Sequence, residues 1–410
     1  MNDQRSDTII LGGGPAGLAQ ALMLAVHGLS SQVVDQADAA ALGFSGGDTR
    51  VSAINSSSWK MLQAAGLTDA LKDEACPVNA IKVNDRLAPV VLDFASDSDD
   101  EGDPLAFIVP NAVLRASLLA RAHSEQLISL KLGAALGDLS RDEHSCGVTL
   151  STGETLRAPL LIGADGRNSL ARRDAGIAVT QWDYHRVAIN LVINHTTSHG
   201  NIAVQVFHGD GPIAVLPLND DADGSHRSAI VWTVAEKNAS GYSKLGPRAL
   251  AAEIASFTGG YLGEIKVAGQ ISSHPLRLQQ AAQLTALRLA LIGDAGHIIH
   301  PLAGQGLNLG LRDVAALTQC LVEGARAGID LGDMQILDRY ARWRRSDNQG
   351  MAMATDLLTR LFGLSGTAAA RVRATGMRTL QIVGPAKAQI IAEARGTNGD
   401  IPQLLLGELV

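Results

Sequence analysis

The sequence predicts an α/β chain in three parts: a Rossmann-like nucleotide-binding domain, an antiparallel-sheet domain inserted into it, and a helical C-terminal tail. Three observations carry this expectation. A glycine-rich turn near the start lies between a short β-type run and a helix. Two apolar runs far downstream, "LLIG" and "LALIGD", share the texture of buried parallel strands. Between them, from Val187 to Val234, the chain changes to short β-type runs separated by turn residues.

Thr8 to Leu11 reads as the first strand. Pro15 to His27 reads as a helix, with proline suited to its first turn and Gly28 to its C-terminal end. Ser31 to Asp35 is the next strand, completing a βαβ unit. Asp93 to Asp103 is strongly acidic and is expected to be a solvated loop. Val113 to His123 reads as a helix, and Leu160 to Gly166 as a strand ending in a polar turn. The runs "VAINLVIN", "IAVQVFH", "PIAVLPL" and "SAIVWTVA" predict the inserted antiparallel sheet. Leu289 to Asp294 returns to a buried strand, with a helix from about Leu307. The expected division is 1–75, 104–175 and 280–330 for the nucleotide domain, 76–103 and 176–279 for the insertion, and 331–410 for the tail.

Composition excludes several function classes. The 410 residues are 46% hydrophobic, enough for two or three domains. Aromatics make up only 3% and the net charge is -7, so nucleic acid is not an expected partner. Cys76, Cys146 and Cys320 are far apart and form no CxxC pair, which argues against a metal site and for a reducing, cytoplasmic setting. The opening residues lack a basic start and a long apolar run, so no signal peptide is expected, and no apolar stretch reaches the about 18 residues of a membrane span. Residues 331–410 hold ten Lys/Arg against seven Asp/Glu. With apolar positions such as Leu380, Ile382, Val383 and Ile390, that tail suits the inner face of an anionic membrane, and equally packing on the core or on a partner.

Gly12-Gly13-Gly14-Pro15-Ala16-Gly17 fits G-x-G-x-x-G in the right context, between strand and helix. Gly12 permits the tight turn, Gly14 lets backbone approach a pyrophosphate, and Gly17 lets helix and strand pack closely. The helix N-terminus then faces the phosphates. Asp35 ends the next strand, placed to accept hydrogen bonds from a ribose. The motif predicts a dinucleotide and leaves NAD or FAD open.

Two further segments, "GADGRNSLAR" and "GDAGHIIHPLAGQGLNLGLRD", follow in order. Together with the glycine loop they resemble the three motifs of the FAD-dependent aromatic hydroxylases, the group A flavoprotein monooxygenases related to p-hydroxybenzoate hydroxylase, from about Asp7 to Leu317. The resemblance implies FAD as cofactor. It implies Asp294 on the ribityl chain and Asp165 near the pyrophosphate, with Pro301 by the reactive ring. It also implies Gly304-Gln305-Gly306 at the flavin pyrimidine edge, where the helix through Leu307 and Asn308 points its positive end. "SGGDTRVSAI" resembles the loop whose arginine, here Arg50, lies beside the flavin, and "VPNAVLRASL" the helix whose arginine, here Arg115, meets the phosphates. A metal reading of Asp294, His297 and His300 and a hydrolase reading of Gly43 to Gly47 are both set aside; the latter lacks the strand that a nucleophile elbow requires.

Within the family the resemblance is nearest to the ubiquinone-biosynthesis hydroxylases, through "HPLAGQGLNLGLRDVAAL", "GPIAVLPL" and the tail. It implies that NADH or NADPH reduces FAD, that O2 supplies the oxygen, and that the substrate is a hydrophobic prenylated phenol or quinol. Membrane or biosynthetic-complex association would suit such a substrate. Val204, Val206, Val215 and Leu216 are candidate pocket residues, and no catalytic base stands out. An FAD-dependent reductase of a prenyl lipid and a non-catalytic FAD-binding scaffold remain as alternatives, separated from a hydroxylase by oxygen uptake. A plain NAD-dependent dehydrogenase would not need the Asp294 to Asn308 segment, and the isolated tryptophans do not form the W-x-W of a halogenase.

Overall fold

The computed structural model describes residues 5–43, 48–85, 88–95, 103–208, 211–299, 305–363 and 384–410. A six-stranded sheet runs in the order Thr285–Ala286, Leu289–Leu291, Leu160–Gly163, Thr8–Leu11, Ser31–Asp35, Ile128–Leu132. All its pairs are parallel except the short edge pair. Its central strands are apolar along their whole length because both faces are covered. Ile10, Ile162 and Ala290 face Leu18 and Leu22 of the helix Pro15–Val26, and Val314 and Leu317 of the helix Gln305–Arg326. Ile9, Leu11, Leu161 and Leu291 point the other way, onto Val148 and Leu156 of a small antiparallel sheet. The first strand and the second lie where the sequence puts them, and the first helix ends one residue earlier, at Val26.

An eight-stranded sheet holds the β-rich middle of the chain, in the order His297–Ile298, Ile265–Ala281, Val179–His195, His226–Ala235, Gly211–Leu218, Ile202–His208, Ala80–Asp85, Ala88–Ala95. It is antiparallel apart from one pair, Ile202–His208 with Ala80–Asp85. Ala80–Asp85 comes from much earlier in the chain, so no tight turn forces that pair to be antiparallel. The helix Pro247–Thr258 covers one face with Leu250 and Ile254. The expected acidic loop from Asp93 is partly corrected. Asp93 to Ala95 belong to a strand, because Leu92 and Phe94 are buried against Ile391. Residues 96–102 lie outside the described residues.

The tail contributes Met334–Gly363, Gly384–Arg395 and Gln403–Leu406. Leu404 and Leu405 pack into the core beneath the six-stranded sheet. Part of the tail's positive charge is structural: Arg344 is buried and Arg339 pairs with Glu323. Leu380, Ile382 and Val383 lie outside the described residues, and Ile390 packs beside Leu92 and Phe94. Among the described residues, no helix is long and apolar enough to cross a membrane.

Candidate functional site

The glycine loop is built as its motif requires. Gly12 has φ +108°, and a Cβ there would collide with the Ala164 carbonyl. A Cβ on Gly17 would collide with the Gly12 carbonyl, so loop and helix touch through bare backbone. Gly14 caps the helix Pro15–Val26 without a side-chain hydrogen bond, and a Cβ on it would meet nothing within 4 Å. The helix N-terminus therefore opens onto free space. Asp35 holds the loop: Oδ2 accepts from Gly13 N at 2.6 Å and Oδ1 from Ala37 N at 2.8 Å. Asp165 caps the helix Leu170–Asp174, accepting from Leu170 N at 2.5 Å and Ala171 N at 3.2 Å through Oδ2. Its Oδ1 is buried with no hydrogen-bond partner among the described residues.

The second part is the turn Gly293–Ala295, which carries Asp294 at the end of the strand Leu289–Leu291. Asp294 is an exposed residue, yet protein surrounds most of its carboxylate. Burial pushes its carboxyl up, against the opposing charges of His297, Arg167 and Arg50. A buried network braces this turn. Asp313 accepts from Gly293 N at 2.9 Å, from His297 Nε2 at 2.6 Å and from Arg344 Nε at 2.7 Å. Arg344 goes on to Asp347 at 2.6 Å and to Asn348 at 2.9 Å. Burial alone would raise the Asp313 carboxyl, but His297 and Arg344 hold it below its ordinary value. Asn308 Oδ1 accepts from Asn55 N at 3.1 Å and its Nδ2 donates to the Ala53 carbonyl at 2.8 Å. Its side chain thus ties the helix to the strand Val51–Asn55, leaving backbone to serve any ligand there. Leu307 is half-buried, and a Cβ on Gly306 would meet nothing within 4 Å. Pro301 and Gly304 lie outside the described residues, as do Gly46 and Gly47.

Arg50 and Arg115 converge on one carboxylate, Asp48. Arg50 binds it twice, at 2.8 and 2.9 Å, and Arg115 once, at 3.0 Å. Burial works against the Asp48 charge, but hydrogen bonds from Arg50 and the charges of Arg50 and Arg115 outweigh it and hold the carboxyl at about 2. Asp48 lies within the same "SGGDTRVSAI" segment as Arg50, yet nothing in that segment signals that its carboxylate holds both arginines.

A cavity of about 340 Å³ lies between this cradle and the eight-stranded sheet. Arg50, Gln305, Asn308 and Ile298 border it on the cradle side, and Ala188, Ala214, Leu216, Val231 and Thr233 on the sheet side. Of the four predicted pocket residues, Leu216 lines it. Val204 borders it while also packing into the core. Val206 and Val215 do not line it: they point through the sheet to Leu250 and Ile254. Strand alternation explains the correction, since Ala214 and Leu216 flank Val215 and must face opposite to it. His274 also lines the cavity, and sequence reasoning passed over it. Its register partner is Ala188, which is on the cavity face.

Residues 5–355 match the FAD binding domain family. The chain belongs to that family. Ubiquinone hydroxylase UbiL of Rhodospirillum rubrum is 38% identical over 408 residues, 99% of this chain and 94% of that protein. The 3-demethoxyubiquinol 3-hydroxylase of Escherichia coli is 33% identical, over 97% of this chain and all of that one. Among solved structures, p-nitrophenol 4-monooxygenase PnpA from Pseudomonas putida superposes with a TM-score of 0.76 at 17% identity, covering 97% of this chain and 99% of that one. The flavin-dependent monooxygenase PieE, solved with FAD and substrate, has a TM-score of 0.69 at 18% identity, covering 97% and 72%. These two likenesses carry the fold. The residues present fit FAD: an uncapped helix N-terminus behind bare glycine suits a pyrophosphate, and the orphaned buried Oδ1 of Asp165 suits a donor supplied by a ligand.

Proposed function

We propose that this flavoprotein is an NAD(P)H-dependent aromatic monooxygenase that hydroxylates the ring of a prenylated phenol or quinol in ubiquinone biosynthesis. One observation carries the reading: the apolar cavity is shared by the cofactor cradle and the eight-stranded sheet, so a ring held there lies against the cradle. The hydroxylase relatives supply the substrate class.

Bound FAD would supply the redox chemistry that links NAD(P)H, O2 and the ring. The protein holds the cofactor through Gly12, Gly14, Pro15, Ala16 and Gly17 at the pyrophosphate, with Asp35 fixing the loop. Asp294 takes a ribityl hydroxyl, and Gln305 and Gly306 offer backbone N–H groups at the start of their helix. Arg50 closes the cavity on the cradle side. Ala188, Ala214, Leu216 and Val231 give an aliphatic floor that excludes water. A cavity of about 340 Å³ is at the lower end for ligand sites. It accommodates the ring, and the isoprenoid chain must extend beyond it. Peripheral association with a membrane would suit such a substrate, and vesicle co-sedimentation of the holoenzyme tests it.

The direct test is purification followed by a flavin spectrum, with NADH and NADPH oxidation and oxygen uptake measured with and without a prenylated phenol. Substrate-stimulated oxygen uptake with a hydroxylated product supports the reading. A bound flavin with no oxygen uptake on any phenol overturns it.

A further inference from the structure

Hydroxylation by an electrophilic oxygen is faster on a phenolate than on a phenol, so the site gains from a group that removes the phenolic proton. The cavity lining contains few groups able to do so. Its charged members are Arg50, Arg167 and Arg277, all permanent cations. Among the described residues that line it there is no Asp, Glu, Lys, Cys or Tyr. Among the described lining residues, His274 is the one that can accept a proton near neutral pH.

We propose that an imidazole nitrogen of His274 is the base that takes the phenolic proton of the substrate. This rests on the aromatic-monooxygenase reading above. Three observations support it. His274 pairs with Ala188 across the strands, and Ala188 pairs in turn with Thr233; all three line the cavity, so the side chain shares its sheet face. No protein hydrogen bond occupies its ring among the described residues, unlike His195, His199 and His297, whose rings are all engaged. Arg50 stands on the cradle side, Arg167 follows the strand Leu160–Gly163, and Arg277 lies three residues further along the strand of His274.

These cations act in two ways. They favour the phenolate once formed, and Arg50 and Arg167 help keep the imidazole neutral and ready to accept. Burial, then Arg50, lowers the His274 pKa below its ordinary value, with Arg167 adding to this and Asp48 opposing. Arg50 and Arg277 are themselves partly balanced by Asp48 and Asp183, and Asp294 is near enough to Arg50 to add to that balance. The step is a proton transfer only. The phenolic O–H bond breaks, an N–H bond forms on His274, and the pair of electrons stays on the phenolate oxygen. The oxidant and electrons for oxygen insertion remain O2 and NAD(P)H, and the imidazolium later releases its proton to solvent.

The test uses the FAD-loaded enzyme and His274→Gln. Wild-type kcat/KM rises with pH through the His274 ionisation and then levels. The variant should lose that limb, with kcat down about 100-fold or more and KM within threefold. A nitro-substituted phenol, already ionised at neutral pH, should restore the variant to within a few-fold of wild type. Its absorbance also gives a readout independent of turnover. Bound to wild-type enzyme, it should ionise at lower pH than in solution, and less so in the variant. An unchanged pH limb in H274Q, or a kcat loss that the ionised phenol does not rescue, overturns the assignment to His274 and leaves the monooxygenase reading standing. Failure of wild-type enzyme to hydroxylate any phenol removes that reading, and the inference with it.

Discussion

Arg344→Met tests the network beneath the cradle. Arg344 and Asp313 are both fully buried, 2.7 Å apart. Methionine keeps the apolar stem and removes the cation, leaving Asp313 ionised in the core with only His297 and Gly293 N as partners. Removing one member of a buried pair costs about 3–5 kcal/mol. Unfolding entropy near 2.1 cal/mol/K per residue gives about 0.86 kcal/mol/K for 410 residues, so the expected fall in Tm is about 3.5–6 °C if the chain unfolds as one unit. Differential scanning calorimetry on the FAD-loaded enzyme measures it. The pH dependence has a definite sign. In the wild type the Asp313 carboxyl is held below its ordinary value, so its contribution is present above about pH 4 and is lost only as pH falls through that lowered value. In the variant, burial dominates and raises the carboxyl. Acid then neutralises Asp313, and the deficit against wild type narrows as pH falls from 7. The double variant D313N/R344M should be less destabilised than the sum of the singles. A Tm change under about 1 °C for R344M, or a deficit that widens in acid, refutes the view that this pair braces the Gly293 turn.

Asp294→Ala removes a charge-assisted acceptor worth about 1.5–3 kcal/mol. FAD affinity should therefore fall about 10- to 150-fold, and the protein should purify largely without flavin; full flavin occupancy would sink the assignment. Val215→Ala should lower stability by about 2 kcal/mol with substrate KM unchanged, because Val215 faces Leu250 and Ile254. Ala214→Trp, one residue away on the cavity face, should raise substrate KM at least tenfold with little change in Tm; the opposite pattern would mean the two faces are misassigned. Asp48→Asn breaks the clamp on Arg50 and Arg115 and should cost about 1–2 kcal/mol at pH 7, discounted for the half-exposed Arg50. Since the Asp48 carboxyl is lowered to about 2, wild type keeps this advantage above about pH 4 and loses it as pH falls toward 2. A variant deficit that stays constant down to pH 2 in urea titrations would contradict the clamp.

The nucleotide half was legible because its chemistry is local. Gly12, Gly14 and Gly17 each answer to a backbone constraint within a few residues, and the fully apolar strands announce a sheet covered on both faces. The β-rich insertion was legible as texture but not as register. "VQVF" and "VLPL" alternate, and alternation says that two faces exist without saying which face meets the cavity. Choosing the valines selected the core side, since the residues buried most completely by their own domain look the same in sequence as residues that line a pocket. Small residues, Ala188 and Ala214, make the cavity, and smallness carries no signal in a single sequence. His274 was passed over for a related reason: its significance comes from the lack, among the described lining residues, of another group that accepts a proton near neutral pH, a property of several strands together.

The buried network shows a deeper limit. Asp313 closes the third motif and looks like one more polar position on a helix, yet its partner Arg344 is on a different helix in the tail. No period or spacing links the two. The pairing nonetheless decides how firmly Gly293 is held, because the same carboxylate accepts from the Gly293 N–H and from Arg344. Asp294 is the next residue, so the helix Met334–Gly363 contributes to the cofactor site without touching it. A boundary near residue 330 would cut a fully buried ion pair and leave the Asp313 carboxylate under the cradle with His297 and Gly293 N but no arginine. The family match running to residue 355 fits this physics, since it includes Arg344 and the Asp347 and Asn348 that hold it. The tail therefore braces the Gly293 turn, and a chain shortened before Arg344 should lose its grip on FAD even with all three motifs intact.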